Sequence, residues 1–347
     1  MPEIAIIRRD PHTVQVGVDQ ATALCVQDAG QREVHALRSL DGTRTRERIL
    51  SDFTADGGRA QWLNQAIDEL IRCGAVINAA AEAVEISAAE RARLAPDLAA
   101  LSLANPGRSV TSLRRRASAV VEVRGTGRVG TGIATLLATA GVGTVRVTPI
   151  AGDAKRVVPR TVGPLGPLAG SLGRAARDAA LKAAATVTFA PSSRRARATP
   201  DLIVLCPPRF LTPSAIERLS SITTPHLLVV SDGPLARIGP SVVPGITPCL
   251  RCLELHRSDR DPLWPMVLTQ AAHALGGQRS ATDSVLSAVA ASVGTVHALS
   301  LLDDRAQLPP SAGALLEFRL PHLTWSRRVW PPHPDCGCLW QPEPLAA

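Results

Sequence analysis

The alternation of hydrophobic and polar positions is most regular from Ala119 to Val147, where it predicts a strand, a turn, a helix and a second strand. The β-branched run Val120–Val123 is typical of a buried parallel strand. The second strand begins at Val145, after Gly141 and Gly143 have ended the helix. Apolar residues in between recur with the period of one helix face, at Ile133, Leu136, Leu137 and Ala140.

Three glycines join the first strand to the helix. Gly125, Gly127 and Gly130 form the pattern G-x-G-x-x-G. Such a turn lets the backbone approach a pyrophosphate, while the helix N-terminus supplies unpaired N–H groups. In this context the pattern predicts a Rossmann-like unit. It leaves open whether a nucleotide binds, because close packing of a strand on a helix also requires glycine.

Further strands and helices alternate downstream. The predicted strands are Asp201–Leu205, Pro225–Val230, Ala314–Phe318 and Leu323–Arg328. The predicted helices are Ser171–Ala185, Ser214–Leu219 and Asp283–Leu302. Strands separated by helices indicate an α/β fold with an open, mostly parallel sheet.

The N-terminal residues have a pattern of their own. Alternation over Thr13–Val18 and Ala23–Gln27 predicts a hairpin, and three short helices follow it. The second helix is capped by Thr45, and Ala75–Ile77 is predicted as a short returning strand, which makes the arrangement winged-helix-like. The predicted divisions are a small domain over 1–80, a helix and linker over 81–116, and an α/β domain over 117–347.

Composition and charge exclude several classes of function. The 347 residues are 45% hydrophobic and 20% charged, as in globular proteins. The net charge is +8, but the arginine runs are short, tyrosine is absent and phenylalanine is scarce, so we expect no nucleic-acid partner. We recognise no signal-peptide core and no charge-free apolar stretch of about 18 residues, and therefore expect a cytoplasmic protein without a membrane partner.

Four of the seven cysteines form two close pairs. Cys249 and Cys252 make C-x-x-C, Cys336 and Cys338 make C-x-C, and 83 residues lie between the pairs. Zinc binds four thiolates tetrahedrally, and a closed site of this kind is structural. We therefore predict one structural zinc ion. The other cysteines, Cys25, Cys73 and Cys206, lie in apolar runs and are predicted to be core residues.

The chain from Val120 to Cys338 resembles the ThiF/MoeB-like superfamily, which has the fold of ubiquitin-activating enzymes. The resemblance rests on the glycine pattern, on A-G-V-G-T-V-R-V (Ala140–Val147) and on the split cysteine site. Three segments are similar to the ThiF-like component of bacterial cyclodehydratases, which form azoline rings in ribosomal peptides. They are Gly245–Cys252, His256–Pro265 and His333–Cys338.

A second resemblance concerns the small N-terminal domain. The patterns L-D-G-T-R-T (Leu40–Thr45) and L-I-R-C-G-A-V (Leu70–Val76) resemble the PqqD-like leader-recognition domain. That family binds an extended leader peptide as an added strand between a strand and a helix. A DNA-binding winged helix is the rival, but Asp68 and Glu69 lie within the third helix. The resemblances together imply a leader peptide and a YcaO-type enzyme as partners, with a homodimer expected by analogy of fold.

The residues that adenylating members use for ATP are missing from their expected places. Those members carry an acidic pair after the second strand and an Asp beyond a later one. Here the strands end in Thr148–Ile150 and Cys206–Pro208. Asp153, Lys155 and Arg156 lie nearby, but not at the family's spacing. The sequence therefore argues against ATP as a cofactor and assigns no catalytic residue, which makes Gly125, Gly127 and Gly130 a vestigial nucleotide turn.

Three rival functions stay open. They are an active adenylyltransferase acting on a peptide or carrier-protein C-terminus, a nicotinamide-dependent oxidoreductase, and a scaffold unconnected with peptide modification. The oxidoreductase is weakened because no acidic residue ends the second strand. The motif Arg257–Pro265 serves either partner docking or a helix end with Asp259–Arg257 and Asp259–Arg260 pairs and a core Trp264. His226, His256 and His333 are predicted to be structural.

Overall fold

The computed structural model describes residues 4–18, 23–77, 88–125, 127–148, 150, 162–163, 166–167, 199–275, 281–304 and 306–339. Its contacts divide the chain into two compact units, Met1–Arg114 and Arg115–Ala347. The predicted helix Ser171–Ala185 and the charged residues Asp153, Lys155 and Arg156 lie outside the described residues.

The first unit begins with a three-stranded antiparallel sheet followed by three helices. The strands are β1 (Ile6–Asp10), β2 (Thr13–Val16) and β3 (Leu24–Gln27), in that order across the sheet. The helices are α1 (Gln31–Arg38), α2 (Arg46–Ala55) and α3 (Ala60–Arg72). Apolar residues from both layers make the core, among them Val14, Leu37, Phe53, Leu63 and Leu70. The predicted hairpin, the Thr45 cap and the three helices are confirmed.

Two expectations for this unit are wrong. Residues 75–77 form no strand, because Gly74 (φ +77°) turns the chain and the Val76 N–H bonds to the Leu70 carbonyl at 3.0 Å. The returning strand of a winged helix is thus absent there, and β1, which was not predicted, completes the sheet instead. Cys25 is exposed, since it points away from the core side of β3, whereas Cys73 is half-buried and packs against the core.

Two further helices follow in the region predicted as helix and linker. They are α4 (Ala88–Ala104) and α5 (Ser109–Ser118). Leu94 and Leu98 of α4 pack with Leu113 of α5 in a small separate cluster. Gly74 lies against α4 so closely that a β-carbon there would sit 1.8 Å from the Ser102 carbonyl oxygen.

The second unit is built on a seven-stranded mixed sheet. Its strands are β4 (Val120–Arg124), β5 (Thr144–Thr148), β8 (Leu202–Leu205), β9 (His226–Asp232), β10 (Leu235–Val242), β11 (Ala314–Arg319) and β12 (Thr324–Val329), and a short pair β6 (Val162–Gly163) and β7 (Gly166–Pro167) lies apart. The order is β12-β11-β10-β9-β8-β4-β5. The neighbouring strands β5, β4, β8 and β9 pair in parallel. The pairs β9–β10, β10–β11 and β11–β12 are antiparallel. The α/β prediction is confirmed, with a larger antiparallel part than expected.

Helices cover both faces of this sheet. They are α6 (Arg128–Thr139), α7 (Pro213–Ser220), α8 (Leu250–Arg260), α9 (Trp264–Leu275) and α10 (Ser284–Asp303). Leu202 and Val204 pack with α6 and α10, whereas Ile203 and Leu205 pack with α7, α8 and α9. Since side chains alternate along a strand, the two helix groups lie on opposite faces.

Helix α10 contradicts the expectation that the chain has no charge-free apolar stretch of about 18 residues. It is 20 residues long, with a mean hydropathy of 1.8 over 18 residues, which is long and apolar enough by composition to cross a membrane. In this fold it packs on α6, β9 and β10 as a core helix. Gly294 does not interrupt it but brings it close to the sheet, because a β-carbon there would lie 2.9 Å from Val229.

Candidate functional site: glycine turn and cysteine cluster

The glycine turn lies at the carboxyl end of β4. Gly125 has φ +128°, and a β-carbon there would sit 2.1 Å from the Cys206 carbonyl oxygen. A β-carbon on Gly130 would lie 2.1 Å from the Gly125 carbonyl oxygen. Gly127 is the N-cap of α6, with φ −72°, and a β-carbon there meets nothing within 4 Å among the described atoms. Gly125 and Gly130 are therefore required by the fold itself, whereas the space in front of the helix at Gly127 holds none of the described atoms.

A carboxylate that sequence reasoning missed lies beside the end of the second strand. Glu122 accepts hydrogen bonds from Arg124 (Nε, 3.0 Å) and from the Thr148 hydroxyl (3.2 Å). At the end of β9, the Asp232 carboxylate lies 3.6 Å from the Arg209 guanidinium. The sequence contained one signal for Glu122, since it is the only acidic residue of β4, whose other residues are three valines and Arg124.

The four cysteines come together as predicted. Cys249 is the N-cap of α8 and Cys252 lies in its first turn, while Cys336 and Cys338 flank Gly337, whose φ is +71°. The Sγ atoms of Cys249 and Cys336 are 3.4 Å apart, as are those of Cys252 and Cys338. All four Sγ atoms lie within 4.8 Å of one another. Tetrahedral zinc with bonds of about 2.3 Å requires sulfur atoms roughly 3.8 Å apart, so the set is compatible with a structural metal.

The electrostatics of the cluster also fit a cation. Burial and the neighbouring thiols raise the pKa of Cys336 well above its usual range, and they raise the pKa of Cys338 to about 11. Burial opposes ionisation of Cys252 too, but its pKa is lowered overall, first by the backbone N–H of His333 (3.4 Å from Sγ). Burial and mutual repulsion thus oppose the ionisation of Cys336 and Cys338. A divalent cation would remove the mutual repulsion and allow all four thiolates.

A hydrogen-bonded histidine cluster adjoins the cysteines. His333 is buried, and its Nε2 lies 2.8 Å from Asp259 Oδ2. His256 places its Nε2 3.0 Å from the Pro331 carbonyl oxygen, and its ring stacks on Trp330 at 5.8 Å. The two imidazole rings meet edge to face, 4.8 Å between centroids. Neither histidine has a nucleophile among these contacts.

The motif Arg257–Pro265 ends helix α8 and starts α9. Glu254, which sequence reasoning missed, accepts from Arg257 Nη1 and from Trp264 Nε1, both at 2.6 Å. Trp264 is half-buried and packs against the apolar cluster that β8, α7, α8 and α9 form. The expected pairs of Asp259 with Arg257 or Arg260 are wrong, because Asp259 turns to His333 instead. Asp259 and His333 are more than 70 residues apart in the sequence, so no local pattern could have predicted their contact.

Two other buried histidines bond to groups inside the α/β unit. His226 lies 2% exposed in β9, with Nδ1 3.1 Å from the Thr224 carbonyl oxygen, and burial lowers its pKa. His297 of α10 places Nδ1 2.6 Å from the Ser311 hydroxyl, which in turn lies 2.6 Å from the Ser241 hydroxyl. Burial lowers the pKa of His297 to about 4. Both serines are fully buried, so this chain of hydrogen bonds orders the core.

The comparisons with known proteins identify the fold. No family model and no curated protein match the sequence. Among solved structures, E. coli MccB with selenomethionine MccA is 13% identical with a TM-score of 0.66, over 97% of this chain and 98% of that one. E. coli MccB with ATP gives 13% and 0.64 over 97% and 98%, and selenomethionine PaaA gives 17% and 0.62 over 94% and 98%. At such identities the likeness is one of fold, and the chain shares the fold of these proteins.

Proposed function

We propose that this protein binds the leader of a ribosomally made precursor peptide and presents that peptide to a YcaO-type cyclodehydratase, with little or no chemistry of its own. The fold supports a role in peptide processing, since E. coli MccB, which shares it, has been solved with the MccA peptide and with N-formylated MccA. The single observation that carries the proposal is the edge of β3 beside helix α3, which pairs with no further strand of the described residues.

The direction of the backbone groups along β3 follows from one hydrogen bond. The Gly17 N–H bonds to the Ala5 carbonyl at 2.9 Å, so Gly17 faces β1. Residues of an antiparallel strand face their two neighbours alternately, so Val16 faces β3 and its partner Leu24 faces β2. The next residue, Cys25, therefore turns its N–H and C=O outward. These groups pair with no strand of the described residues.

Helix α3 supplies the second wall beside this edge. The Trp62 indole donates to the Gln27 carbonyl at 2.9 Å, and Arg59 donates to the Asp28 carbonyl at 2.7 Å. These bonds hold the helix against the end of β3 and close the edge there. An extended peptide could add to β3 from Cys25 toward the start of the strand, where main-chain bonds give affinity and the neighbouring side chains give selectivity.

A proline substitution tests the added strand directly. Cys25→Pro removes the outward N–H, while an edge strand tolerates proline at such a position. The matched control is Arg8→Pro, which removes an outward N–H from the opposite edge strand, β1. We expect a synthetic peptide from the short reading frames beside the gene to bind the native chain and Arg8→Pro equally, and Cys25→Pro at least tenfold more weakly. Equal binding to both variants would contradict the proposal.

A second candidate function is ATP-dependent adenylation of a peptide C-terminus. Structures of E. coli MccB with ATP, and with AMPCPP plus MccA, favour it, as does the open space at Gly127. Against it, Glu122 is already bonded to Arg124 and Thr148. Calorimetric titration with Mg-ATP and a pyrophosphate-exchange assay decide between the two: exchange would identify an adenylyltransferase, and no binding supports a non-catalytic, peptide-presenting protein.

We infer that the cysteine cluster holds one structural Zn²⁺. Four protein thiolates close the coordination sphere and leave no position for a substrate. The ion would join the start of α8 to the segment after β12. Its role is therefore to stabilise the α/β unit, which is consistent with a protein that binds and presents peptides.

A further inference from the structure

A second group of metal-ligand atoms lies beside the cysteine cluster. His256 and Asp259 are one turn apart on α8, and His333 comes from the segment after β12. One ligand atom from each of these residues lies within 4.8 Å of the others. We propose that His256, Asp259 and His333 bind a divalent transition-metal ion, Zn²⁺ in the cell, at a site separate from the four cysteines. Imidazole with carboxylate is a donor set suited to such ions.

The hydrogen bond of His256 prepares it as a ligand. Its Nε2 lies 3.0 Å from the Pro331 carbonyl oxygen, which can only accept, so Nε2 carries the proton and Nδ1 keeps a free lone pair. Metal-binding histidines commonly donate their other ring N–H to a carbonyl or carboxylate in this way. Stacking on Trp330 at 5.8 Å further fixes the ring.

His333 and Asp259 need only a small movement. His333 Nε2 and Asp259 Oδ2 are 2.8 Å apart, whereas two ligands of a tetrahedral ion with bonds of about 2.0–2.1 Å are roughly 3.3 Å apart. His333 Nδ1 accepts from the Asp335 N–H at 3.1 Å, so the ring proton lies on Nε2. Binding of an ion at Nε2 would move that proton to Nδ1, which would exchange its bond with the Asp335 N–H for one to the Asp335 carboxylate, 3.9 Å away.

The site is open on one side. The side chain of Asp259 is 61% exposed and that of Asp335 is 83% exposed, while His333 is 4% exposed. An ion can therefore reach the histidines from the Asp259 side. Three protein ligands leave a fourth position for water or for an oxygen, nitrogen or sulfur atom of a bound molecule, as in catalytic zinc sites. Trp330 beside His256 adds a buried indole N–H without an acceptor among the described atoms.

Metal analysis of the full-length protein tests the proposal. After dialysis against sub-stoichiometric chelator and addition of Zn²⁺, we expect two zinc ions per native chain by elemental analysis. His256→Ala and the isosteric Asp259→Asn should each reduce this to one ion, with melting temperatures close to native. The control is His322→Ala, an exposed histidine outside the cluster, which should retain two.

Cobalt distinguishes the two sites by spectroscopy. Co²⁺ added to protein whose cysteine cluster already holds zinc should give only weak d–d bands, without the intense thiolate charge-transfer absorption. Those bands should disappear in His256→Ala and should require at least tenfold more Co²⁺ in Asp335→Asn, which removes the second carboxylate. One ion per native chain, or a second ion that survives both ligand substitutions, would overturn the proposal.

Discussion

Arg116 and Asp303 form a buried two-point ion pair that joins the end of α5 to the end of α10. Their contacts are Nε–Oδ1 at 2.8 Å and Nη2–Oδ2 at 2.5 Å, with side chains 5% and 11% exposed. Arg116 also donates to the Ala140 carbonyl at 3.4 Å. Two parallel hydrogen bonds between a guanidinium and a carboxylate fix the relative orientation of the two side chains and also pair their charges. The pair therefore holds the end of α5, just before β4, against the core helix α10.

Removing one partner should be costly, because the other charge then stays buried. We expect Asp303→Ala to lower the free energy of unfolding by about 3–5 kcal/mol in urea denaturation. Glu217→Ala, which breaks the exposed Glu217–Arg251 pair at 3.9 Å, is the control and should change it by less than about 0.5 kcal/mol. If Asp303→Ala behaved like the control, the pair would be unimportant for stability.

Substitution by alanine should destabilise the protein much more at Gly130 than at Gly127, although both glycines belong to the same turn. Gly130→Ala places a β-carbon 2.1 Å from a carbonyl oxygen, so α6 must move from β4, at a cost of roughly 3 kcal/mol. Gly127→Ala meets open space at an ordinary φ and should cost less than about 1 kcal/mol. Thermal unfolding of both variants measures the difference, and similar melting temperatures would contradict it. A stable Gly127→Ala is also a clean probe for nucleotide binding.

The cysteine cluster should contribute folding energy through its ion. Cys252→Ser removes one of the four ligands. We expect the free energy of unfolding to fall by several kcal/mol and the zinc content to fall by one ion per chain. Cys25→Ser is the matched control, because Cys25 is exposed and far in sequence from the cluster. A strong chelator should lower the melting temperature of the native chain. An unchanged melting temperature would argue against a structural metal.

Buried His297 predicts a loss of stability in acid. Its pKa is about 4 when folded and 6.5 when unfolded, so below pH 6.5 the unfolded state binds more protons. Stability should therefore be full above pH 6.5 and fall by roughly 2–3 kcal/mol as the pH drops to 4. His297→Asn cannot titrate and should show a shallower pH dependence in urea denaturation. An equal slope in both proteins would exclude His297 as the cause.

Periodic hydrophobic patterns predicted the buried elements well. Val120–Val123 and the helix after it were recognisable because a buried parallel strand and a core helix carry apolar runs of distinct length and period. Strands without such patterns were missed. Strand β1 reads Ile-Ile-Arg-Arg-Asp and is mostly exposed, and β10 contains Gly239 and Pro240, so neither shows the alternation of a half-buried strand.

The candidate site was predictable only in its local parts. Cysteine spacing indicated the cluster, since each pair is set by a tight turn. The partners of Glu122, Glu254 and Asp259 were not predictable, because they depend on the register of strands and on which helix ends meet. The surroundings of Gly127 were not predictable either, because the pattern G-x-G-x-x-G does not show which of its three glycines contacts other backbone atoms.

The separation of the two cysteine pairs has a topological consequence. An ion bound by all four converts the 83 residues between Cys252 and Cys336 into a ring that contains α9, α10 and the β11–β12 hairpin. Every residue of β12 is exposed, and the turn before it, Pro321–Leu323, is exposed as well. A protease that severs this turn opens the ring at one point, and the C-terminal piece stays tethered through its two thiolates. Withdrawal of the ion then leaves that piece held without a covalent or metal link, by the pairing of β12 with β11 and by the contacts of Trp330, Pro331 and His333 with α8.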